Sequence, residues 1–430
     1  MSEPIDIESL DPLYRDVFRD PANGTPDNIS KAGCLVLAKL GNGAWNAWRE
    51  SYPCPIADFS QQKFDPTIWF DGFNFGNYAN FSQAEFPNST KFCNATFGEG
   101  ANFYGTRFTT CPDFTRAVFG RKAYFVGAQF AVGANFDNVE FGDSRHPETT
   151  FFIGAQFGGR STFKEAKFFE NAWFSGRAWN GTYRKIDEKN NAKKWGEEYG
   201  LAPNEIEDID FSHAEFFQRA TFTRRIFIGK TSFEAAKFSG VPKFHNSKLS
   251  QNTTFQNADW PHPSGSDTAT RAYRTLKLAF SQQQAIREEQ RFFKLEMAEE
   301  TKAAPWYKKP LYAAYWAFSD YGFSVARPFI LLLATLVIFA ALYGSSAGLS
   351  ACLPFQNACN INSSWAEFSL LQSLPLPGLD KLSDTLRGKL FPTEGLTSIG
   401  VTVAVILHKA LSLLALFLMG LALRNLFKLK

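Results

Sequence analysis

The chain contains few residues of the kinds that usually carry out chemistry: 3 Met, 5 His and 6 Cys among 430 residues. The histidines occur singly, and Cys34, Cys54, Cys93 and Cys111 are not spaced like metal ligands. The motifs GxSxG and HExxH and the Walker motif are absent, and the GNG at Gly41 lacks the strand-turn-helix context of a dinucleotide site. The sequence therefore predicts that the protein is not an enzyme and binds no cofactor or metal.

The chain also lacks a strong charge of either sign. Its formal net charge is +3, and basic and acidic residues are equal in number between positions 58 and 260. A nucleic-acid groove needs a concentrated basic patch, so no nucleic-acid partner is expected. The N-terminal sequence MSEPIDIESLDPLYRDVF has neither a basic start nor an apolar run. We therefore expect no secretory signal and a cytosolic location for the residues that follow.

Phenylalanine, in contrast, is abundant, with 46 residues. Between positions 58 and 260 a Phe recurs with a second large apolar residue five positions later, and the pair repeats every eleven residues. Insertions near 143–147 and 180–208 interrupt this count. Such a period indicates a repeat architecture. The first members of the sixteen pairs are Phe59, Phe70, Phe81, Phe92, Phe103, Phe114, Phe125, Phe136, Phe152, Phe163, Phe174, Phe211, Phe222, Phe233, Phe244 and Phe255.

The spacing of five predicts very short strands separated by corners. A straight strand would place the two Phe side chains on opposite faces, and a helix would place them about 140° apart. If the chain turns between them, both can face one interior, as in a β-helix. Small residues such as Ala79 and Ala84 stand two positions before a Phe and should face inward as well. Asn, Gly, Ser and Thr are expected at the corners. A coiled coil also has a period of eleven, but Gly, Asn, Thr and Phe are poor helix formers.

The octets ANFSQAEF, ANFYGTRF and AYFVGAQF resemble the pentapeptide-repeat superfamily, in particular its bacterial membrane branch with Phe at the central position. Segments outside the repeats resemble that branch too, among them LGNGAWNAWRESYP, SDYGFSVARP and LALRNLFKLK. The resemblance implies a right-handed quadrilateral parallel β-helix, followed by an α-helical cap and two transmembrane helices. It implies no particular activity.

These patterns divide the chain into four predicted regions. An N-terminal cap occupies 1–55, and the repeat domain occupies 56–260. Residues 261–327 are predicted to form a helical cap and then an interfacial segment rich in Trp, Tyr and Lys. The membrane domain, 328–430, contains two apolar stretches, 328–348 and 397–423, each long enough to span a bilayer.

The distribution of basic residues predicts the orientation of these two spans. Lys308, Lys309 and Arg327 precede the first, and Arg424 follows the second. Basic residues favour the cytoplasmic side, so we expect both termini in the cytoplasm of a bacterial inner membrane. The loop of about 349–396 is then extracytoplasmic. Its two cysteines, Cys352 and Cys359, are the candidate disulfide of the chain.

His408 and Lys409 are the candidate functional residues because they lie inside the second apolar stretch. Placing a lysine at the centre of a membrane helix costs at least about 2.5 kcal/mol, so such residues usually face protein or water. The alternative is that Lys409 snorkels towards the outer interface. Gly344 and Gly348 form a small-xxx-small pair that could bring two helices together.

Two functions are compatible with the sequence. The first is a membrane-anchored scaffold or sensor, in which a face of the β-helix binds a protein partner. The second is a subunit of a homo-oligomeric pore or channel-like effector, in which the loop WAEFSLLQSLPLPGL folds partly back into the membrane. This loop lacks the TVGYG filter of potassium channels.

Overall fold

The computed structural model describes residues 6–64, 68–176, 204–346, 364–374, 378–391 and 396–427. The chain divides into two compact units. The first comprises residues 1–263 and 268–293, and the second comprises 264–267 and 294–430.

The first unit begins with a helical segment that covers the start of the repeats. Short 3-10 helices (Ile7–Ser9, Arg15–Arg19, Pro21–Asn23) and an antiparallel pair, β1 (Gly24–Thr25) and β2 (Asn28–Ile29), precede α1 (Lys31–Lys39) and α2 (Asn42–Ser51). In α2 the buried Trp45 ring lies 5.6 Å from the Phe59 ring, and its Nε1 donates a hydrogen bond to the Asn74 carbonyl. Burial of Trp45 and the neighbouring Trp48 seals this end of the aromatic core.

Strands of mostly two or three residues follow this helical segment, and all of them pair in parallel. One sheet follows the order β10-β13-β16, a second β20-β18-β14-β11-β8-β6-β4 with β17 beside β14, and a third β19-β15-β12-β9-β7-β5-β3. The strands are β3 (Asn74–Gly76), β4 (Glu85–Phe86), β5 (Thr96–Phe97), β6 (Arg107–Phe108), β7 (Val118–Phe119), β8 (Gln129–Phe130), β9 (Glu140–Phe141), β10 (Thr149–Phe151), β11 (Gln156–Thr162), β12 (Lys167–Phe168), β13 (Asn171–Trp173), β14 (Glu205–Asp210), β15 (Glu215–Phe216), β16 (Ala220–Thr221), β17 (Ile226–Phe227), β18 (Thr231–Ser232), β19 (Lys237–Phe238) and β20 (Thr253–Thr254).

The strand register follows the period found in the sequence. Phe86 pairs with Phe108, and Phe108 with Phe130, so hydrogen-bonded neighbours lie two eleven-residue units apart. Phe130 then pairs with Phe157, a longer step that accommodates the insertion near 143–147. The second predicted insertion, 180–208, lies mostly outside the described residues. Its last four positions belong instead to β14, which pairs with β11.

The Phe side chains form four columns of stacked rings. All sixteen first members are buried, as predicted, and so are the small residues two positions before them. In one column the Phe92, Phe114 and Phe136 rings follow one another at 4.8 and 4.7 Å, nearly parallel. Rings of adjacent columns meet edge to face, as Phe103 and Phe114 do at 5.8 Å. Stacking along a column and edge contacts between columns satisfy the preferred geometries of aromatic pairs.

The corners agree in part with the predicted composition. The residue two positions after nearly every first-member Phe has a left-handed backbone, and the amide of the next residue donates to the Phe carbonyl, as in a type II turn. Asn or Gly occupies this position at eight of these fifteen corners, as expected, whereas Gln61, Arg116, Glu165 and Ala235 are among the exceptions. The polar residue before the Phe compensates for part of this strain. Asn80, for example, accepts a hydrogen bond from the Ser82 amide at 3.1 Å.

Two helices, α3 (Asp267–Gln282) and α4 (Ile286–Ala303), follow the last repeat. The Phe292 ring of α4 lies 5.6 Å from Phe255 and 5.2 Å from Trp260, the last rings of two columns. Arg291 donates to the carbonyls of Phe255 and Ala258 at 2.7 Å each. These contacts cover the exposed backbone groups and rings at this end of the repeats.

The second unit contains α5 (Lys309–Ser319), α6 (Ala326–Ser346), α7 (Ser364–Ser373), α8 (Leu379–Leu390) and α9 (Leu396–Phe427). Two stretches, Ala326–Ser346 in α6 and Ile399–Phe427 in α9, are long and apolar enough to cross a membrane. They coincide with the two stretches predicted from the sequence. Between them, α7 and α8 occupy part of the segment that was predicted to be a loop.

Candidate functional site

The short helix α7 packs against both long apolar helices. The Ser369 hydroxyl donates to the Leu336 carbonyl in the middle of α6 at 2.8 Å. At the C-terminal end of α7, Ser373 contacts His408 of α9. Ser369, Gln372 and Ser373 are buried, so this face of α7 brings polar groups between two apolar helices. The second functional hypothesis, in which the loop folds back, requires this arrangement.

His408 is fully buried and has a polar partner at each ring nitrogen. The Tyr343 hydroxyl lies 3.3 Å from Nδ1, and the Ser373 hydroxyl lies 3.0 Å from Nε2. The Phe339 ring stacks on the imidazole at 4.4 Å, with an angle of 6° between the planes. Side chains of α6, α7 and α9 therefore meet at one histidine.

The donors and acceptors of these hydrogen bonds can be assigned from the Ser369 carbonyl, which can only accept. The Ser373 hydroxyl donates to the Ser369 carbonyl at 3.0 Å, so its oxygen accepts from Nε2–H of His408. With a neutral imidazole, Nδ1 accepts from the Tyr343 hydroxyl. His408, Ser373 and Tyr343 are then all hydrogen-bonded without a formal charge, which is favourable in an apolar environment.

The structure separates the two residues that the sequence placed together. His408 points into the helical unit, whereas Lys409, the next residue on α9, is exposed at its surface. Successive residues on a helix differ in direction by about 100°, so the two cannot share one inner face. Lys409 is flanked along this surface by the exposed side chains of Ile406 and Leu413. A role for His408 and Lys409 in a pore remains a prediction.

Gly344, the first residue of the small-xxx-small pair, packs against a helix of the same chain. A side chain added at Gly344 would meet the Trp365 ring at 3.7 Å, so α7 of the same chain lies against this glycine. Gly344 therefore takes part in a close helix contact within one chain, and a contact between two chains at this pair remains a prediction. Gly348, Cys352 and Cys359 lie outside the described residues, and the disulfide remains a prediction.

A second candidate site lies on the outer surface of the repeats. Tyr124, Phe151 and Trp173, which we call the aromatic ladder, are parallel-strand neighbours with outward side chains. The Tyr124 and Phe151 rings stack at 5.2 Å, and Phe151 meets Trp173 at 5.6 Å. Each of the three precedes an inward Phe, and two partly exposed aliphatic residues, Val126 and Ile153, extend the apolar surface.

The positions in line with the aromatic ladder are polar on either side. In one direction the pairing partners are Asn102, Asn80 and Asp58, and in the other they are Thr221 and Lys243. A run of apolar side chains within an otherwise polar column is not required by the repeat, because its core is formed by the inward rings. Contiguous apolar patches of this kind mark interaction sites.

Sequence reasoning missed most of this geometry. Nothing in the sequence connects Tyr343 or Ser373 to His408, since they lie 65 and 35 residues away. The aromatic ladder could have been found, because all three residues occupy the position before a first-member Phe. Among the described residues, no group of His, Cys, Asp and Glu is arranged to hold a metal ion.

The fold and these two sites define a repeat protein of short parallel strands with two apolar helices near its C-terminus. No protein-family model, curated protein or solved structure matches the chain significantly. The functional argument therefore rests on the residues themselves.

Proposed function

We propose that the repeats form a right-handed, four-sided β-helix of the pentapeptide-repeat type. Three observations support this proposal: parallel pairing that mostly joins residues two eleven-residue units apart, four columns of inward rings, and a left-handed corner after nearly every first-member Phe. With two eleven-residue units in each turn, the four columns of rings would together fill a square cross-section. Such a body is solid, which suits it to binding at its outer faces.

We further propose that α6 and α9 cross a bacterial inner membrane with both chain termini in the cytoplasm. The length and apolar character of both helices support this topology, as do the basic residues near the start of α6 and the end of α9. The repeats would then lie on the cytoplasmic side. The segment between the spans, with Cys352 and Cys359, would face an oxidising compartment.

The function that the geometry supports best is that of a membrane-anchored scaffold or sensor that binds a protein partner. The aromatic ladder carries this proposal. Its side chains point outward, a position that the repeat core does not require; Trp173 is 38% exposed, and Tyr124 and Phe151 are half-buried. Tyr and Trp are also the side chains most often found at the energetic centre of protein interfaces. The membrane anchor would fix the place where the partner is held.

The scaffold is tested by photo-crosslinking in living cells. A photoreactive amino acid at position 173 is expected to crosslink to one discrete protein. The double variant Tyr124→Ser with Phe151→Ser should lower that yield by about tenfold or more, because it removes two aromatic contacts. Val118, with 40% exposure, provides the matched control on another column. Equal labelling at positions 118 and 173, or a yield unchanged by the double variant, would contradict the proposal.

A second candidate function, the subunit of an oligomeric pore, is favoured by the position of α7. A re-entrant helix with buried Ser and Gln side chains between two apolar helices is a costly arrangement in a membrane. Two helices of one chain cannot enclose a pore, so this function requires several copies. The exposed side of α9 that bears Lys409 would then line the path or contact a neighbouring copy.

The pore is tested with purified protein in planar bilayers. Lys409→Glu is expected to shift ion preference towards cations, and Lys409→Leu to change conductance, because the ammonium contributes to the potential along the path. Ala410→Leu, at the exposed neighbouring position, is the control and should leave selectivity unchanged. A monomeric protein in mild detergent, or an absence of current, would remove this second function.

A further inference from the structure

Residues 302–319 contain five exposed large side chains that the repeats and the polar network do not use. Trp306 is 82% exposed and Leu311 73%, and Tyr307, Trp316 and Phe318 are exposed as well. Within this stretch Lys302, Lys308 and Lys309 are exposed too, and the sequence contains no Asp or Glu. The surface therefore combines amphipathic aromatic residues with three lysines and contains no acidic residue of its own.

Hydrogen bonds attach this stretch to the ends of both apolar helices. Arg327, in the first turn of α6, donates to the Trp316 carbonyl at 2.7 Å, and its guanidinium lies 5.4 Å from the Trp316 ring centre. Asn425, in the last turns of α9, donates to the Gly322 carbonyl just after α5 at 2.9 Å. The start of α6, the end of α9 and α5 are thus held at one level.

The position of residues 302–319 beside the ends of α6 and α9 determines what these residues can contact. If α6 and α9 cross the bilayer, their ends lie at the depth of the lipid headgroups. Trp and Tyr rings are favourable at that depth, where one edge of the ring is in apolar and the other in polar surroundings. Lysines at the same level attract anionic headgroups. Asp320, the residue that directly follows this stretch, pairs with Lys294 at 2.5 Å and with Arg327 at 3.9 Å.

We propose that residues 302–319 form an interfacial surface that preferentially binds anionic phospholipid. Trp306, Tyr307 and Leu311 insert at the headgroup boundary, and Lys308 and Lys309 bind the phosphate groups of anionic lipids. The proposal depends on the membrane topology proposed above. It is independent of whether the repeats bind a partner or the chain forms a pore.

The test uses the full-length chain reconstituted into vesicles that contain brominated phosphatidylglycerol or brominated phosphatidylcholine. Bromine quenches nearby tryptophans, Trp306 and Trp316 among them, so quenching reports which lipid lies against the chain. The wild-type chain is expected to bind phosphatidylglycerol more tightly. The double variant Lys308→Gln with Lys309→Gln should reduce that preference at least about threefold, because each lysine near the surface contributes to anionic-lipid attraction. The matched control, Lys381→Gln with Lys389→Gln on α8, changes two exposed lysines elsewhere in the same unit and should leave it unchanged.

The outcomes separate this inference from the anchor on which it depends. A chain that does not float with the vesicles would overturn both the membrane anchor and the lipid surface. A chain that floats but quenches equally with the two lipids would overturn the lipid surface alone, and so would an equal loss of preference in both double variants.

Discussion

Replacing Phe114 by alanine is expected to lower the free energy of unfolding of the repeat unit by about 3 to 5 kcal/mol. The Phe114 ring is fully buried between Phe92 and Phe136, and it also meets the edges of Phe103 and Phe125. The neighbouring strands are held in place by backbone hydrogen bonds, so they cannot move into the vacated space. The substitution therefore removes apolar burial and leaves a cavity in the column.

The measurement is urea denaturation of the purified chain in mild detergent, followed by the aromatic circular dichroism of the stacked rings. Arg116→Ala is the matched control, because this residue lies two positions further along the same turn and its side chain is exposed. Both Arg and Ala carry a Cβ, so the left-handed backbone at position 116 is strained equally in the two chains. Equal and small losses at both positions would show that Phe114 does not face the core.

The second large effect is expected at Arg225, a fully buried arginine in the repeat unit. Its Nε, Nη1 and Nη2 donate to the carbonyls of Phe174, Ala155 and Phe152 at 2.5, 2.8 and 2.9 Å. All three belong to rungs that precede residues 177–203, where the repeat pattern is interrupted. The guanidinium thus supplies side-chain donors to buried carbonyls next to that interruption.

Arg225→Leu is expected to destabilise the repeat unit by about 3 to 5 kcal/mol, because it removes three hydrogen bonds from a charged donor and leaves buried carbonyls without them. Arg225→Lys should recover only part of this loss, since a single ammonium cannot reproduce the planar fork of the guanidinium. The same urea denaturation measures both variants.

Arg224→Ala provides the control for this series. Arg224 is the preceding residue, is exposed, and has a left-handed backbone that alanine adopts no less readily than arginine. It should change stability by no more than about 0.5 kcal/mol. If Arg224→Ala and Arg225→Leu destabilise the chain to the same extent, the three buried hydrogen bonds contribute nothing and their proposed role is wrong.

The repeat pattern could be predicted because its physical requirement recurs along the chain. The core needs a large ring at one inward position and a small side chain two residues earlier. Phe81 and Ala79 are an example of such a pair. Arg225 follows the same register, since it stands three positions after Phe222, where Ala84 and Ala117 stand after their own Phe residues. The register would have placed Arg225 inward, but adjacent arginines suggest a solvated surface.

At some corners the fold overrides the backbone preference of the residue. Arg116 and Glu165 have little intrinsic tendency towards a left-handed backbone. Parallel pairing of the rungs on both sides nevertheless holds each corner in that conformation. Composition therefore predicted the corners that contain Asn or Gly, and it did not predict those that contain larger side chains.

By itself, the sequence determined the spacing of the inward rings, the parallel repeat and the two apolar helices, because these depend on periodicity and on the length of apolar runs. Only the tertiary structure decided that His408 is buried against Tyr343 and Ser373 while Lys409 is exposed, and that Trp365 covers Gly344. These contacts join residues far apart in the chain, and they depend on the side of α6 and α9 on which α7 packs. An apolar helix has many faces of similar hydrophobicity, so its sequence alone does not specify which face receives a polar neighbour.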